Sequence, residues 1–318
     1  MSKAYRTKRT LRKLLKVVLI IAAIIILFVI TSLVRHKICS SREKDLLTPL
    51  GELVEVNGHN MNIYTEGEGD KTLVFLSGGG TCSPILDFKS LYSLLSNEYK
   101  IVVVEKFGYG FSDVVEEKRD IDTILSETRM ALDQAEIQGP YVLCPHSLSG
   151  LEALYWAQKY PDEVDLDMAV PAYYDEMDIS IPMMKLGHYG AVLGITRWIP
   201  SLAESDTIKY GTLSEKEKEI YRAVFYQRTA TETMIDEAKV VKDNANIVKE
   251  NGIPQVPMLL FISNGSGGTG FTKEKWRSIP ENYISGHDNT SYIELDCPHY
   301  VHDYKYKEIS QEIRSFIK

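Results

Sequence analysis

Cysteine is scarce in this chain, with four in 318 residues: Cys39, Cys82, Cys144 and Cys297. Four is too few for a disulfide scaffold at this length, and no two are spaced as C-x-x-C, so a structural zinc site is not expected. They read as small buried hydrophobes, with a Cys82–Cys297 bridge left open. Internal repeats and low-complexity tracts are also missing, which leaves an ordinary globular chain at 44% hydrophobic and 25% charged residues. Beyond the N-terminus a basic surplus is lacking too. Residues 1–44 hold 11 Lys and Arg and one acidic residue, against 36 and 44 in the whole chain; residues 45–318 therefore carry 25 basic and 43 acidic residues, net −18. A surface this acidic does not suit nucleic acid or an anionic membrane surface, and the plain reading is solubility.

What is present at the N-terminus is of another kind. Lys3, Arg6, Lys8, Arg9, Arg12, Lys13 and Lys16 precede an uncharged run from Val17 to Val34, closed by Arg35, His36 and Lys37. At ~1.5 Å rise per residue such a run spans roughly 27 Å as a helix, close to the thickness of a bilayer core. The basic excess on its N-terminal side places that end in the cytoplasm and the rest of the chain on the other face. The run is long for a cleaved signal peptide and no A-x-A-like site follows it. Residues 1–44 are thus expected to be a basic tail and an uncleaved signal anchor, contacting the bilayer through residues 17–34.

Residues 45–318 alternate. Glu52 to Val56 and Met61 to Thr65 flank N-G-H-N and predict an antiparallel hairpin. Continuous apolar runs at Thr72–Leu76, Ile101–Val104 and Tyr141–Cys144 predict strands covered on both faces. Between and after them, helices are predicted over Ile85–Leu95, Ile121–Gln134 and onward from the Ser147 turn to Tyr160. From Tyr173 to about Asn251 no buried strand is visible, while amphipathic stretches such as Glu215–Tyr226 and Thr231–Lys249 predict helices. Strands return at Pro257–Ser263 and Ser291–Leu295, and a helix from about Lys307 to Ile317 closes the chain. The expectation is an α/β fold, a mostly parallel sheet with crossover helices and a helical cap inserted at about 173–251.

Four motifs stand at the ends of predicted strands: L-S-G-G-G-T (76–81), F-G-Y-G-F-S-D (107–113), P-H-S-L-S-G (145–150) and C-P-H-Y-V-H (297–302). In this order they resemble the α/β-hydrolase fold family, over roughly residues 50–318. The resemblance implies a serine hydrolase. Ser147 is its nucleophile, in a sharp strand-to-helix turn that presents the hydroxyl beside free helix N–H groups. His299 is its general base, with His302 as the local rival. The oxyanion donors fall on the Leu148 and Gly79 amides, with Gly80 as alternate. The family's usual G-x-S-x-G is P-x-S-x-S here, with Pro145 and Ser149 at the glycine positions.

The acid of the triad is less plainly marked. The loop after the strand at 257–263 reads S-N-G-S-G-G-T-G and has no carboxylate. Some family members place the acid after the strand that follows the nucleophile helix. The matching stretch here offers Asp165, Asp167 and Asp175; similar sequences end that strand in a hydrophobic-Asp pair, which points to Asp167. If the strand runs on to Val170, Asp175 is better placed. The G-x-G-x-x-G at Gly265–Gly270 opens no βαβ unit and reads as a mobile loop rather than a dinucleotide fingerprint. No metal or organic cofactor is implied. The expected substrate is a small ester or amide, apolar if Met183, Met184, Tyr189, Trp198, Tyr221 and Tyr226 roof the pocket. The competing expectation is a non-catalytic binding module on the same fold.

Overall fold

The computed structural model describes residues 3–166, 179–267 and 269–317. Helix α1 (Lys3–Arg42) comes first; its stretch Thr10–Arg42 is long and apolar enough to cross a membrane. Strands β1 (Glu52–Val56) and β2 (His59–Glu66) form the expected antiparallel hairpin. Its turn places Asn57 and Gly58 at φ +54° and +83°, the left-handed pair that a two-residue hairpin loop needs and that Asn-Gly tolerates best.

Strand β3 (Thr72–Leu76) is followed by two one-turn helices, α2 (Pro84–Asp87) and α3 (Lys89–Tyr92). The single helix expected over Ile85–Leu95 is therefore broken at Phe88. The segment is buried on nearly every side, so no solvent-facing stripe holds it to one regular helix. The break also turns Asp87 into the interior, where it is 2% exposed. Then come β4 (Lys100–Glu105), α4 (Ile121–Gln134), β5 (Tyr141–Pro145), α5 (Ser149–Lys159) and β6 (Val164–Leu166). A helical segment comes next, α6 (Ile181–Val192), α7 (Asp206–Tyr210), α8 (Glu215–Arg228) and α9 (Glu232–Glu250), with short 3-10 turns at Thr196–Trp198 and Pro200–Ala203. The chain closes with β7 (Met258–Ile262), α10 (Lys273–Ile284), β8 (Thr290–Glu294), α11 (Val301–Tyr304) and α12 (Tyr306–Ile317).

The strands make a six-stranded sheet in the order β1-β2-β4-β3-β5-β6, parallel except where β2 meets its neighbours. Among the described residues β7 and β8 form their own parallel pair. That pair shares both layers of core with the larger sheet, because side chains alternate across a strand. Val74 and Leu76 of β3 join Met258, Leu260 and Ile262 of β7 beneath α4, α5 and α9. Leu73 and Phe75 join Phe261 and Ile293 beneath α3 and α12. Fully burying a side chain such as Phe75 is worth ~1.5–3 kcal/mol. The four cysteines are free thiols, so a Cys82–Cys297 bridge is not formed. The helices that frame the core are held at their starts by side chains. Asp120 caps α4 by accepting from the Thr123 amide at 2.9 Å, and Ser214 and Glu217 close a capping box on α8.

Candidate active site

Ser147 lies between the end of β5 and the start of α5, and its φ is +55°. A left-handed conformation costs a residue with a Cβ about 1–2 kcal/mol, and such strain concentrates at functional sites. The two departures from the family pattern are absorbed locally. Pro145 has no amide to give, but it ends its strand, and the next amide, that of His146, donates to the Leu76 carbonyl at 3.0 Å. Ser149 does what a glycine could not. Its fully buried hydroxyl accepts from the His146 amide at 3.0 Å and donates to the Leu76 carbonyl at 2.6 Å, tying the turn to β3.

The glycine triplet lies against this turn. A Cβ built on Gly78 would stand 3.0 Å from Ser147 Cβ and 2.9 Å from His146 Nδ1, and one on Gly79 would stand 3.0 Å from Leu148 Cδ2. Only glycine allows so close an approach. The amides sort themselves. Gly80 donates to the Tyr109 hydroxyl at 3.4 Å and Thr81 to the Gly78 carbonyl at 3.4 Å, while Ser149, Gly150 and Leu151 bond back into the turn. The Gly79 and Leu148 amides appear in none of the described hydrogen bonds. Gly80, the alternate donor, is thus committed elsewhere.

The loop after β8 brings His299 beside His146, the residue before Ser147. The His299 and His146 rings are 4.7 Å apart, centroid to centroid, and His146 Nε2 lies 3.2 Å from the His299 carbonyl oxygen. Trp276 packs edge-on to the His299 ring at 5.1 Å. Burial, and next the nearby His302, lower the His299 pKa to about 4, and burial drives that of His146 well below its ordinary value. Both imidazoles are therefore neutral near pH 7, the state in which a histidine can accept a proton. The described hydrogen bonds include none between Ser147 and His299. The glycine-rich loop is tied to the histidine loop at its first half. Its Asn264 amide donates to the Cys297 carbonyl, and the Ser266 carbonyl accepts from the His299 amide, each at 3.0 Å. It anchors the histidine loop.

His302 lies as near, its ring also 4.7 Å from that of His146, but its Nε2 bonds Asp87 Oδ2 at 2.8 Å, both side chains buried. Asp167 and Asp175 lie outside the described residues, as does the side chain of Asp165; the described part of β6 is Val164–Leu166. The late loop has Asp296 next to it, but that carboxylate is exposed and bonded to Asn264 at 3.2 Å and Lys273 at 3.1 Å.

Two groups of residues were not visible in sequence. Asp87, His302 and Asp303 are the described residues that could hold a metal ion, with ligand atoms all within 4.8 Å of one another. Asp303 is buried, and neither of its oxygens has a hydrogen-bond partner; the Thr207 hydroxyl beside it donates to the Leu86 carbonyl at 3.3 Å instead. Burial and then the charge of Asp87 push its pKa well up. Asp87 and Asp303 line a 270 Å³ cavity with Gly80, Thr81 and Tyr300, each one or two residues from a predicted site residue. No motif marks this cluster, because Asp87 is more than 200 positions from its partners. The second group is the buried Lys106, bonded to both Glu152 of α5 and Glu237 of α9. Burial lowers the Lys106 pKa, but the two carboxylates outweigh it and hold it above its ordinary value. Tyr109 donates to Glu237 at 2.7 Å and accepts from Gly80, so the network reaches the glycine loop. A lysine in E-K-F-G-Y-G following a buried strand was the available signal.

The chain is 38% identical over 265 residues to the uncharacterized protein YbdG of Bacillus subtilis (strain 168), an alignment covering 80% of this chain and 81% of that protein. Among solved structures it resembles Cfl2 from Burkholderia cenocepacia (TM-score 0.65, 16% identity, 84% of this chain and 95% of the other). It also resembles an enol-lactonase from Burkholderia xenovorans LB400 (0.63, 15%, 84% and 99%) and an epoxide hydrolase from Vigna radiata (0.64, 17%, 84% and 97%). At these identities the likeness shows the fold, which is that of the α/β-hydrolases. No family model matches the chain.

Proposed function

Because the chain belongs to the same family as YbdG and has the α/β-hydrolase fold, we propose that it is a membrane-anchored serine hydrolase that cleaves an ester or amide. One observation supports this reading: Ser147 stands at φ +55° between strand and helix, next to His146, whose ring lies 4.7 Å from that of His299, and the Gly79 and Leu148 amides appear in none of the described hydrogen bonds. In the mechanism, Ser147 Oγ attacks the substrate carbonyl carbon while His299 takes its proton. The Gly79 and Leu148 amides donate to the oxyanion that forms; losing one such donor costs about 3–4 kcal/mol of transition-state stabilisation. Collapse expels the alcohol or amine, protonated by His299, and water then releases the acyl group from Ser147. Asp167, or else Asp175, holds the imidazole tautomer and offsets its charge. Serine at this position, rather than a carboxylate, sets the chain apart from epoxide opening by an aspartate nucleophile.

The anchor belongs to the same proposal. Residues 1–44 form the basic tail and spanning helix, with the N-terminus in the cytoplasm, and residues 45–318 form the hydrolase domain, roofed by a cap at about 173–251. A retained helix is supported by Arg197 of the helical segment, 5% exposed, which grips Glu43 at 2.7 and 2.6 Å. Cleaving α1 away would strip that guanidinium of its further bonds to His36 at 3.0 Å and Ser40 at 3.4 Å. The test is an assay of the purified full chain in detergent on short- and long-chain esters and aminoacyl amides. Turnover should fall by roughly 10³-fold or more in Ser147→Ala and in His299→Ala. A folded protein inert on the whole panel would favour the binding module. Protease added to intact cells should digest the domain; protection would reverse the orientation.

A further inference from the structure

Helix α1 does not leave the membrane-crossing run and then meet the domain; the two meet inside it. Phe28 packs against Trp198 at 5.8 Å between ring centroids, and Trp198 Nε1 donates to Ser32 Oγ at 2.8 Å. Ser32 is wholly covered, although it lies in the apolar run. Gly194 fits against the same turn, where a Cβ would collide with His36 and the Ser32 carbonyl. One turn further on, Arg35 lies 4.6 Å over the Trp198 ring and donates to the Arg197 carbonyl at 2.8 Å. Phe28 stands six residues before the end of the run at Val34, which is ~9 Å along the helix axis. If α1 spans a bilayer, Trp198 is held at the depth where tryptophan collects in membrane proteins.

The surface around Trp198 matches that depth. Outside α1, twelve large hydrophobic side chains are strongly exposed among the described residues, and seven of them fall between Met183 and Leu202. Met183, Leu186, Tyr189 and Val192 spread over about half the circumference of α6, and Ile199 and Leu202 follow Trp198 in the next turns. The other five are scattered singly, as on any soluble surface. Such a concentration of exposed apolar side chains in one stretch of chain marks a contact. Lys185 lies within it, and its stem is long enough to carry the charge back to water.

We infer that this face of the helical segment is a second membrane-contacting surface, seated in the interfacial layer of the bilayer that α1 crosses. The occupant is lipid, because the face is continuous with the transmembrane helix through Trp198 and its depth is fixed by Phe28 and Ser32. The inference rests on reading α1 as an anchor and goes beyond it, since a flexible tether would leave the domain free in water. It also sets Leu202, a wall of the 270 Å³ cavity that reaches Gly80 and Tyr300, at the lipid boundary.

The test uses the full chain in phosphatidylcholine vesicles with Cys39→Ser, the other three cysteines being buried. Single cysteines are placed at Leu186, Ile199, Tyr292 and Leu27, each labelled with an environment-sensitive fluorophore. Brominated phosphatidylcholine is then used as quencher. Labels at Leu186 and Ile199 should emit to the blue and be quenched, while the label at Tyr292, also exposed but on β8, should not. Quenching at Leu27 with water-like emission at Leu186 and Ile199 would overturn the seating and leave the anchor standing. An unquenched Leu27 would overturn both.

Discussion

Replacing Ser147 by glycine and by alanine separates strain from chemistry. Both variants lose the hydroxyl, so both should lose hydrolysis. They differ in backbone cost. At φ +55° a residue with a Cβ carries about 1–2 kcal/mol of strain that glycine does not. Glycine gives back about 0.4–1 kcal/mol through the greater freedom of the unfolded chain. Little else changes, because the turn is held by the Ser149 hydroxyl and the His146 amide rather than by the Ser147 side chain. The expectation is that Ser147→Gly is the more stable of the two by about 1 kcal/mol, or roughly 2–4 °C for a domain of this size. Denaturant titration of the detergent-solubilised full chain, followed by circular dichroism, reads the difference directly. If Ser147→Gly proved equal to or weaker than Ser147→Ala, the turn would not be strained, and the geometric case for Ser147 as the presented nucleophile would fail.

Buried charge sets three further outcomes. Lys106→Met leaves Glu152 and Glu237 facing each other with no cation and should cost about 3–5 kcal/mol, by denaturant midpoint. Adding Glu152→Gln and Glu237→Gln to that variant should recover most of the loss; no recovery would mean the cost is one of packing. Native His299 resists protonation down to a pKa of about 4 while the unfolded chain accepts protons near 6.5, so its contribution is present above 6.5 and is lost as pH falls toward 4. Between pH 7 and about 4.5 the wild type should therefore lose about 2–3 kcal/mol more stability than His299→Gln. Equal slopes would show that His299 titrates freely in the folded state.

Strands and their order were legible because their signal is local. Continuous apolar runs bounded by glycine and by Asn-Gly mark β1 to β5, and the helices α4, α8 and α9 announce themselves by amphipathic spacing; the structure adds caps at Asp120, Ser214 and Thr231. Ser147 and His299 stand out in the sequence as candidates because each follows a strand end in a motif that resembles the family's. What escaped was long-range. Asp87 meets His302 only because the helix over 84–92 breaks at Phe88, a choice made by all-round burial and not by propensity. The Lys106 network joins three elements across more than 130 positions, and each of its carboxylates reads in sequence as an ordinary helix surface residue. The backbone bonds that Asn264 and Ser266 of the glycine-rich loop make to the loop after β8 were likewise beyond local signals.

The central claim, that Ser147 is an activated nucleophile served by His299, is tested most directly by a fluorophosphonate probe and mass spectrometry on the full chain in native membranes. One adduct is expected, on Ser147, absent in Ser147→Ala and formed far more slowly in His299→Ala. Folded protein that takes up no probe, or that takes it up at another serine, would contradict the claim.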